Sequence, residues 1–354
     1  MGGPALQAEG LETLVNAADL LSMGFSEILS RLPRIWRALN TLEEAARLRG
    51  PMAALVVDYP DFHFRLARRL QKLGIPVVDF IPPKVWVWRK SRVMRMKQVF
   101  SKVLCIFPFE EKFYEGSGVP AVYVGNPLMD ELPFKLTRED ARTRLKIAAD
   151  DRAVVLLPGS RESELKIHIP LMLDAAEKCA EMLRLRLKVL VPLPDAIDQQ
   201  PWLDSVLAQV DHYDHLDVKF SFGDAHLCMI AADAGLIKSG TSTLEAALLG
   251  CPHAVVYKTG KLTEWIFKYL IRYRGPVGLV NLALGWREGE PYRATEWICD
   301  QATVENLKQE LVTLLSDESY RAQLKKSFLP ILLGLSGRRA SESAAREVLQ
   351  LVTL

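Results

Sequence analysis

Cysteine is scarce and scattered in this sequence: five residues in 354, at positions 105, 179, 228, 251 and 299, with no Cys-x-x-Cys pair. That spacing argues against a disulfide framework or a zinc site and fits reduced thiols. No apolar run reaches the roughly 18 residues that a membrane-spanning helix needs. The N-terminus lacks a charged region followed by an apolar stretch, so no secretory signal is visible. Met1-Gly2 lacks the Ser or Thr at position 6 that myristoylation requires. Excess charge is missing too. With 45 basic and 43 acidic residues the net charge is +2, which gives a general nucleic-acid role no electrostatic basis. An Asp-x-Asp metal–nucleotide motif is absent, and nothing resembles a Ser-His-Asp or Cys-His arrangement.

What is present is an ordinary soluble composition, 49% hydrophobic and 25% charged, in a chain long enough for two α/β domains. Strand-like apolar runs alternate with helical segments. The runs include Ala53 to Val57, Pro76 to Val78, Val103 to Ile106, Ala121 to Val124, Val154 to Leu157 and Leu187 to Val191. Val218 to Phe220, Ala234 to Ile237 and Ala254 to Tyr257 continue the series. This rhythm predicts parallel sheets with helices on both faces. The charged stretch from Lys135 to Arg152 places a boundary near residue 150. The predicted domains are 1–150 and 151–325, and a helical segment, 326–354, is free to pack on either domain, the N-terminal one included.

Two stretches carry the clearest chemistry. Val154 to Leu157 reads as a buried strand running into the tight turn Pro158-Gly159-Ser160-Arg161. Some eighty residues on, Ser239-Gly240-Thr241-Ser242-Thr243 opens a helix, with Glu245 one turn in. Free backbone N–H groups and the positive end of a helix dipole favour an anion there. Hydroxyls can donate to phosphate oxygens, and Arg161 can add a charge-assisted pair. Glu245 can accept from a ribose hydroxyl, as acids near such loops do. Together they predict a nucleotide diphosphate site; ordinary helix-capping loops are the plainer alternative.

Ligands of open α/β sheets sit beyond the carboxyl ends of strands, which draws attention to Asp58, just after Val57. Asp58-Tyr59-Pro60-Asp61 sets two carboxylates three residues apart on a loop stiffened by Pro60. A partly desolvated carboxylate there can act as a general base; capping of the next helix is the structural alternative. Apolar residues at helical spacing, Phe25, Ile28, Leu29, Leu32, Ile35, Trp36 and Leu39, alternate with Arg31, Arg34 and Arg37. Pro33 is expected to start a new helix or kink this one. A basic amphipathic helix of this kind lies on an anionic phospholipid surface or packs on a core with its cations snorkelling. Lys258 to Arg274 and Lys84 to Lys102 repeat the basic–aromatic mixture.

These blocks resemble the lipid-A-disaccharide synthase family, inverting glycosyltransferases that join two acylated glucosamines in outer-membrane lipid assembly. The resemblance runs over nearly the whole chain. It is carried by Gly2-Gly3-Pro4, Met23 to Leu29, Asp58-Tyr59-Pro60-Asp61-Phe62, Val85-Trp86-Val87-Trp88-Arg89, Gly125-Asn126-Pro127-Leu128, the Pro158 to Arg161 turn, and Ser239 to Glu245. Asn281 stands where the family has an asparagine near the donor. The Trp-x-Trp-Arg block beside the Asp-x-Pro-Asp-Phe block is the most specific part. Departures are His63 for the usual Asn, Pro82 and Lys84 within a Ser-Pro-Ser block, Val280, and Cys299 for the usual Gln. Members also begin with a strand and a Gly-Glu-x-Ser-Gly-Asp turn ahead of Gly-Gly-Pro. A βα unit of about 30 residues is therefore expected upstream, through a misassigned start or a truncation.

The resemblance implies a GT-B architecture, two Rossmann-like domains with parallel sheets facing across a cleft. It implies UDP-2,3-diacylglucosamine as donor, held by Gly159, Ser160, Arg161, Ser239 to Thr243, Glu245 and Asn281. The acceptor implied is 2,3-diacylglucosamine 1-phosphate, with Asp58 as base and Asp61, Trp88, Arg89 and Asn126 on the acceptor side. No cofactor and no metal are required. Phe25, Ile28, Leu29 and Leu32 would meet the membrane, peripherally at the cytoplasmic face of the inner membrane, and a homodimer stays open. The alternatives are another GT-B UDP-sugar transferase of envelope synthesis and a nucleotide-sugar-binding remnant without turnover.

Overall fold

The computed structural model describes residues 1–21, 27–85, 91–195, 203–204, 212–260 and 275–352, and the side chains of all these except 19, 21, 27–31 and 91. The chain forms two compact units, 1–130 with 337–354, and 131–336. The divisions fall at 130/131 and 336/337 rather than near 150 and 325.

In the first unit β1 (Ala54–Val57), β2 (Val77–Phe80), β3 (Lys102–Cys105) and β4 (Ala121–Tyr123) form a parallel sheet in that order. Such pairing needs a crossover between neighbours, and helices supply it. The long α1 (Glu27–Arg49) precedes β1 and runs through Pro33 as a single helix. After β1 comes α2 (Pro60–Lys72), which starts on Pro60 at its first turn, where the missing N–H costs nothing. It buries Phe62, Leu66, Ala67 and Leu70 at helical spacing against Val56, Val77 and Val103. β3 leads into α3 (Pro108–Gly116).

In the second unit α4 (Arg138–Leu145) precedes the first strand and buries Ala141 and Leu145 against Ala153 and Val155. That packing explains why the charged stretch before 150 belongs here: its apolar residues have their partners in this sheet. β5 (Arg152–Leu157), β6 (Leu187–Leu193), β7 (Leu216–Phe222), β8 (Ala234–Lys238), β9 (His253–Tyr257) and β10 (Glu296–Ile298) are all parallel, in the order β10-β9-β8-β5-β6-β7. β5, β6, β8 and β9 are almost wholly buried, as expected for strands covered on both faces. Helices α5 (Glu162–Leu183), α6 (Ala225–Ala231), α7 (Thr241–Leu248), α8 (Leu279–Ala283), α9 (Val304–Ser316) and α10 (Glu318–Leu335) complete the unit.

The last helix, α11 (Ala340–Val352), belongs to the first unit. Ala344, Val348 and Leu351 pack on Val78, Leu104 and Val124, and Lys102 pairs with Glu347 at 2.7 Å.

His253 on β9 is fully buried, its Nδ1 against the Cys251 carbonyl at 2.9 Å and its ring 5.4 Å from that of Phe328. Burial pushes its pKa from 6.5 down to about 4. Unfolded chain takes up a proton in that window and the native state does not. The stability is therefore present above 6.5 and drains away as pH falls toward 4, by about 3 kcal/mol in all. Denaturant melts across this range are expected to show the loss, and His253→Gln to show a smaller one.

Candidate functional site

Each unit gathers polar side chains at the carboxyl ends of its strands. In the first, the chain leaves β1 through Asp58 and Tyr59, both left-handed with φ 53° and 48°. Asp58 donates its N–H to the Phe80 carbonyl at 3.1 Å, so the turn stays tied to β2. The ring Nδ1 of the buried His63 also sits against the Asp58 carbonyl. Positive φ on non-glycine residues is uncommon and costs energy unless the surroundings enforce it. Asp58 is exposed rather than partly desolvated. Asp61, on the first turn of α2, pairs with Arg92 at 2.9 Å.

Other acidic groups cluster behind Asp58. Asp79 on β2 is 2% exposed, and its Oδ2 has no hydrogen-bond partner among the described residues. Burial, then the charges of Asp58 and Glu110, hold its pKa well above the usual carboxylate range. Glu110 is buried and accepts from the backbone N–H groups of Ile106 and Phe107, each at 3.1 Å. Sequence reasoning missed both; the signal for Asp79 was an acid inside an apolar strand. Asn126 is buried, donates to the Ile106 carbonyl at 3.2 Å and accepts from Leu128 N–H at 3.1 Å. Trp88, Arg89 and Phe25 lie outside the described residues, as do the side chains of Ile28 and Leu29. Along α1 the apolar stripe divides. Leu39 is fully buried in the core, whereas Leu32 and Trp36 are exposed.

In the second unit the strand order reverses direction between β5 and β8, the place where open α/β sheets bind ligands. Leu157 of β5 is in register with Ile237 of β8, so the turns that follow leave the sheet side by side. Between them lies a cavity of about 570 Å³, lined by Gly159, Ser160, Arg161, Ser239, Gly240, Thr241 and Ser242, with Glu164 and Lys238 on its floor. Pro192 to Asp195 and Gly223 complete the wall. The turn requires glycine at 159: φ is 118°, and a Cβ would lie 2.5 Å from Glu164 Oε2.

Glu164, the third residue of α5, folds back over this turn. Its Oε2 accepts from Ser160 N–H at 3.1 Å, and its Oε1 accepts from Lys238 Nζ at 2.8 Å and lies 3.7 Å from Arg161. Burial alone would raise its pKa. The bond to Lys238, that lysine's charge, the Ser160 amide and Arg161 together bring it below the usual value. Neither Glu164 nor Lys238 was singled out from the sequence, although one follows Arg161 by three residues and the other precedes Ser239.

Three predicted donor contacts do not line the cavity. The Thr243 hydroxyl is buried and donates to the Gly240 carbonyl at 2.9 Å, bracing the start of α7. Asn281 is 1% exposed with both amide atoms engaged. It donates to the Ala294 carbonyl at 2.8 Å and Glu296 at 2.7 Å, and accepts from the N–H groups of Arg293 and Ala294, both at 3.0 Å. Glu296 in turn accepts from Val277 and Gly278 N–H, so Asn281 ties the start of α8 to β10. Glu245 holds His226 at 3.0 Å.

A family model described as lipid-A-disaccharide synthetase matches residues 1–348. The lipid-A-disaccharide synthase of Anaeromyxobacter dehalogenans (strain 2CP-C) is 40% identical over 354 residues, covering 99% of this chain and 88% of its own. The chain belongs to the lipid-A-disaccharide synthase family. Solved structures far more distant in sequence share the fold. The UDP-GlcNAc 2-epimerase of Neisseria meningitidis, bound to UDP-GlcNAc, aligns with TM-score 0.59 at 12% identity, over 99% of this chain and 88% of that one. Acinetobacter baumannii MurG aligns with TM-score 0.56 at 15% identity, over 99% and 89%. Both likenesses fit the GT-B fold of two parallel-sheet units.

Within this fold Asn281 makes four hydrogen bonds that hold the start of α8 to β10. Asn281→Ala strips the Ala294 N–H and carbonyl of their side-chain partner and removes one donor from buried Glu296, and should cost about 2–4 kcal/mol. Urea melts are expected to show that loss, while the folded fraction keeps its UDP affinity in calorimetry. A large change in UDP affinity would instead make Asn281 a direct ligand.

Proposed function

We propose that this chain is a glycosyltransferase that joins UDP-2,3-diacylglucosamine to 2,3-diacylglucosamine 1-phosphate, releasing UDP and the disaccharide 1-phosphate. The observation that carries the reading is the cavity at the switch point of the second unit, where the two turns and Arg161 converge, in a chain matched to its family over residues 1–348. The donor diphosphate sits in this cavity, with Arg161, the hydroxyls of Ser160, Thr241 and Ser242, and the N-terminus of α7 as its partners. Ser239 gives its hydroxyl to the Val277 carbonyl at 2.7 Å and its N–H to the Val256 carbonyl at 2.8 Å, so it shapes the turn that lines the cavity and leaves donation to its neighbours. Glu245 takes a ribose hydroxyl beside His226.

Asp58 is the base. The acceptor 6-hydroxyl attacks the anomeric carbon from the face opposite UDP, its proton passes to Asp58, and the bond to the diphosphate oxygen breaks with inversion. Charge then builds on departing UDP, where preorganised donors stabilise it most effectively. Asp61, Trp88 and Arg89 complete the acceptor side. Asn126 supports it by fixing the chain after β4.

Both substrates carry acyl chains, and among the described residues no helix is long and apolar enough to cross a membrane. The exposed Leu32 and Trp36, beside Arg34 and Arg37, support docking of α1 on an anionic lipid surface at the cytoplasmic face of the inner membrane.

Arg161→Ala is expected to weaken UDP binding by about 1.5–3 kcal/mol, the range for a charged hydrogen bond. Unchanged affinity in calorimetry removes Arg161 from the diphosphate. Asp58→Asn is expected to lower turnover by about 10²–10⁴ while UDP still binds. Near-normal turnover would assign the base elsewhere.

A further inference from the structure

The cavity at the β5–β8 switch point contains an anion of its own. The Glu164 carboxylate is gripped by Ser160 N–H at 3.1 Å and by Lys238 Nζ at 2.8 Å, with Arg161 at 3.7 Å. It lies over Gly159, where even a Cβ would collide with it. The pair is well covered, with the Glu164 and Lys238 side chains 17% and 18% exposed. Lys238 ends β8 with its ammonium 5.8 Å from the Tyr257 ring centroid, directly before the Ser239–Ser242 turn. Amide, lysine and arginine are the donors that a phosphate group recruits, and here they converge on a carboxylate.

We propose that Glu164 is a built-in counter-anion that competes with the donor's diphosphate for Lys238, and that Lys238 is passed to the phosphate as a second cation beside Arg161. The inference rests on reading this cavity as the diphosphate seat. A lysine this well covered is costly without a negative partner, and Glu164 supplies one. Lysine suits an exchange because it is a point charge on a flexible stem, free of the fixed bidentate geometry of arginine. A diphosphate brings more negative charge than a carboxylate and draws the ammonium away. The remaining carboxylate keeps its bond to Ser160 N–H, so the turn holds its shape while the cation moves. Glu164 thereby lowers nucleotide affinity, which helps UDP leave after transfer.

The test is calorimetry of UDP and of uridine on the full chain, with thermal melting of each variant. Lys238→Met should weaken UDP by about tenfold or more, as loss of a charged hydrogen bond does, and leave uridine unchanged. Lys238→Arg keeps the charge and should retain most of the UDP affinity. Glu164→Gln still presents an oxygen to Ser160 N–H but no charge, and should tighten UDP by about threefold or more. In the Lys238→Met background that tightening should vanish. The proposal is overturned if Lys238→Met binds UDP as the native chain does, or if Glu164→Gln weakens UDP, since the pair would then be only a brace for the turn. Should Lys238→Met fail to fold, Lys238→Arg and Glu164→Gln carry the same decision. Loss of UDP affinity in Arg161→Ala with none in Lys238→Met sinks the exchange alone. Unchanged UDP affinity in both variants sinks the reading of the cavity.

Discussion

The pairing of β5 with β8 is the constraint on which the second unit's site depends. Leu157 against Ile237 sets the register, and parallel strands in register end at the same level. Two turns far apart in sequence must then leave the sheet together. The strand order runs in opposite directions from this pair, which is where open α/β sheets bind ligands. A shift of register by one residue would turn the buried side chains of β5 toward the wrong face and separate the turns. The burial of β5 and β8 is therefore also what positions the site.

The cavity's electrostatics follow from that geometry. Lys238 reaches Glu164 only because the end of β8 lies beside the turn that opens α5. Arg161, half exposed, lies 3.7 Å from the same carboxylate oxygen that Lys238 holds. Below this layer a separate network, Thr243, Asn281 and Glu296, secures α7, α8 and β10 through buried hydrogen bonds. The upper layer holds charges that can change partners. The lower layer consists of bonds whose loss would strand buried polar groups.

The first unit concentrates acid instead. Asp58 stands exposed at a left-handed turn, while Asp79 and Glu110 are buried close by. Glu110 is satisfied by two backbone N–H groups, and Asp79 Oδ2 lacks a partner among the described residues. Burial, with the charges of Asp58 and Glu110 beside it, holds the Asp79 carboxyl well above the usual carboxylate range. Asp58 is the exposed acid of the three.

Much of this was legible from residues alone. Alternating apolar runs determined the strands because burial on both faces demands continuous hydrophobic stretches, and β5, β8 and β9 stand where those runs lie. The Pro158–Arg161 and Ser239–Ser242 turns were recognisable because glycine and small hydroxyl residues at strand ends are local signals. The domain boundary was misplaced because Ala141 and Leu145 find their apolar partners only in the folded sheet. The availability of polar groups was equally invisible. Thr243 and Asn281 carry the right chemistry for a ligand yet are spent on backbone groups, one of them nearby and the others more than ten residues away. Glu164 and Lys238 looked like ordinary charges until the pairing of β5 with β8 brought them together across 74 residues of sequence. Sequence by itself determined which segments become strands and turns, since short-range sterics and hydrophobic periodicity decide that. Tertiary structure alone decided which polar side chains remain free to act, since hydrogen-bond partners are supplied by whatever the fold places within about 3 Å.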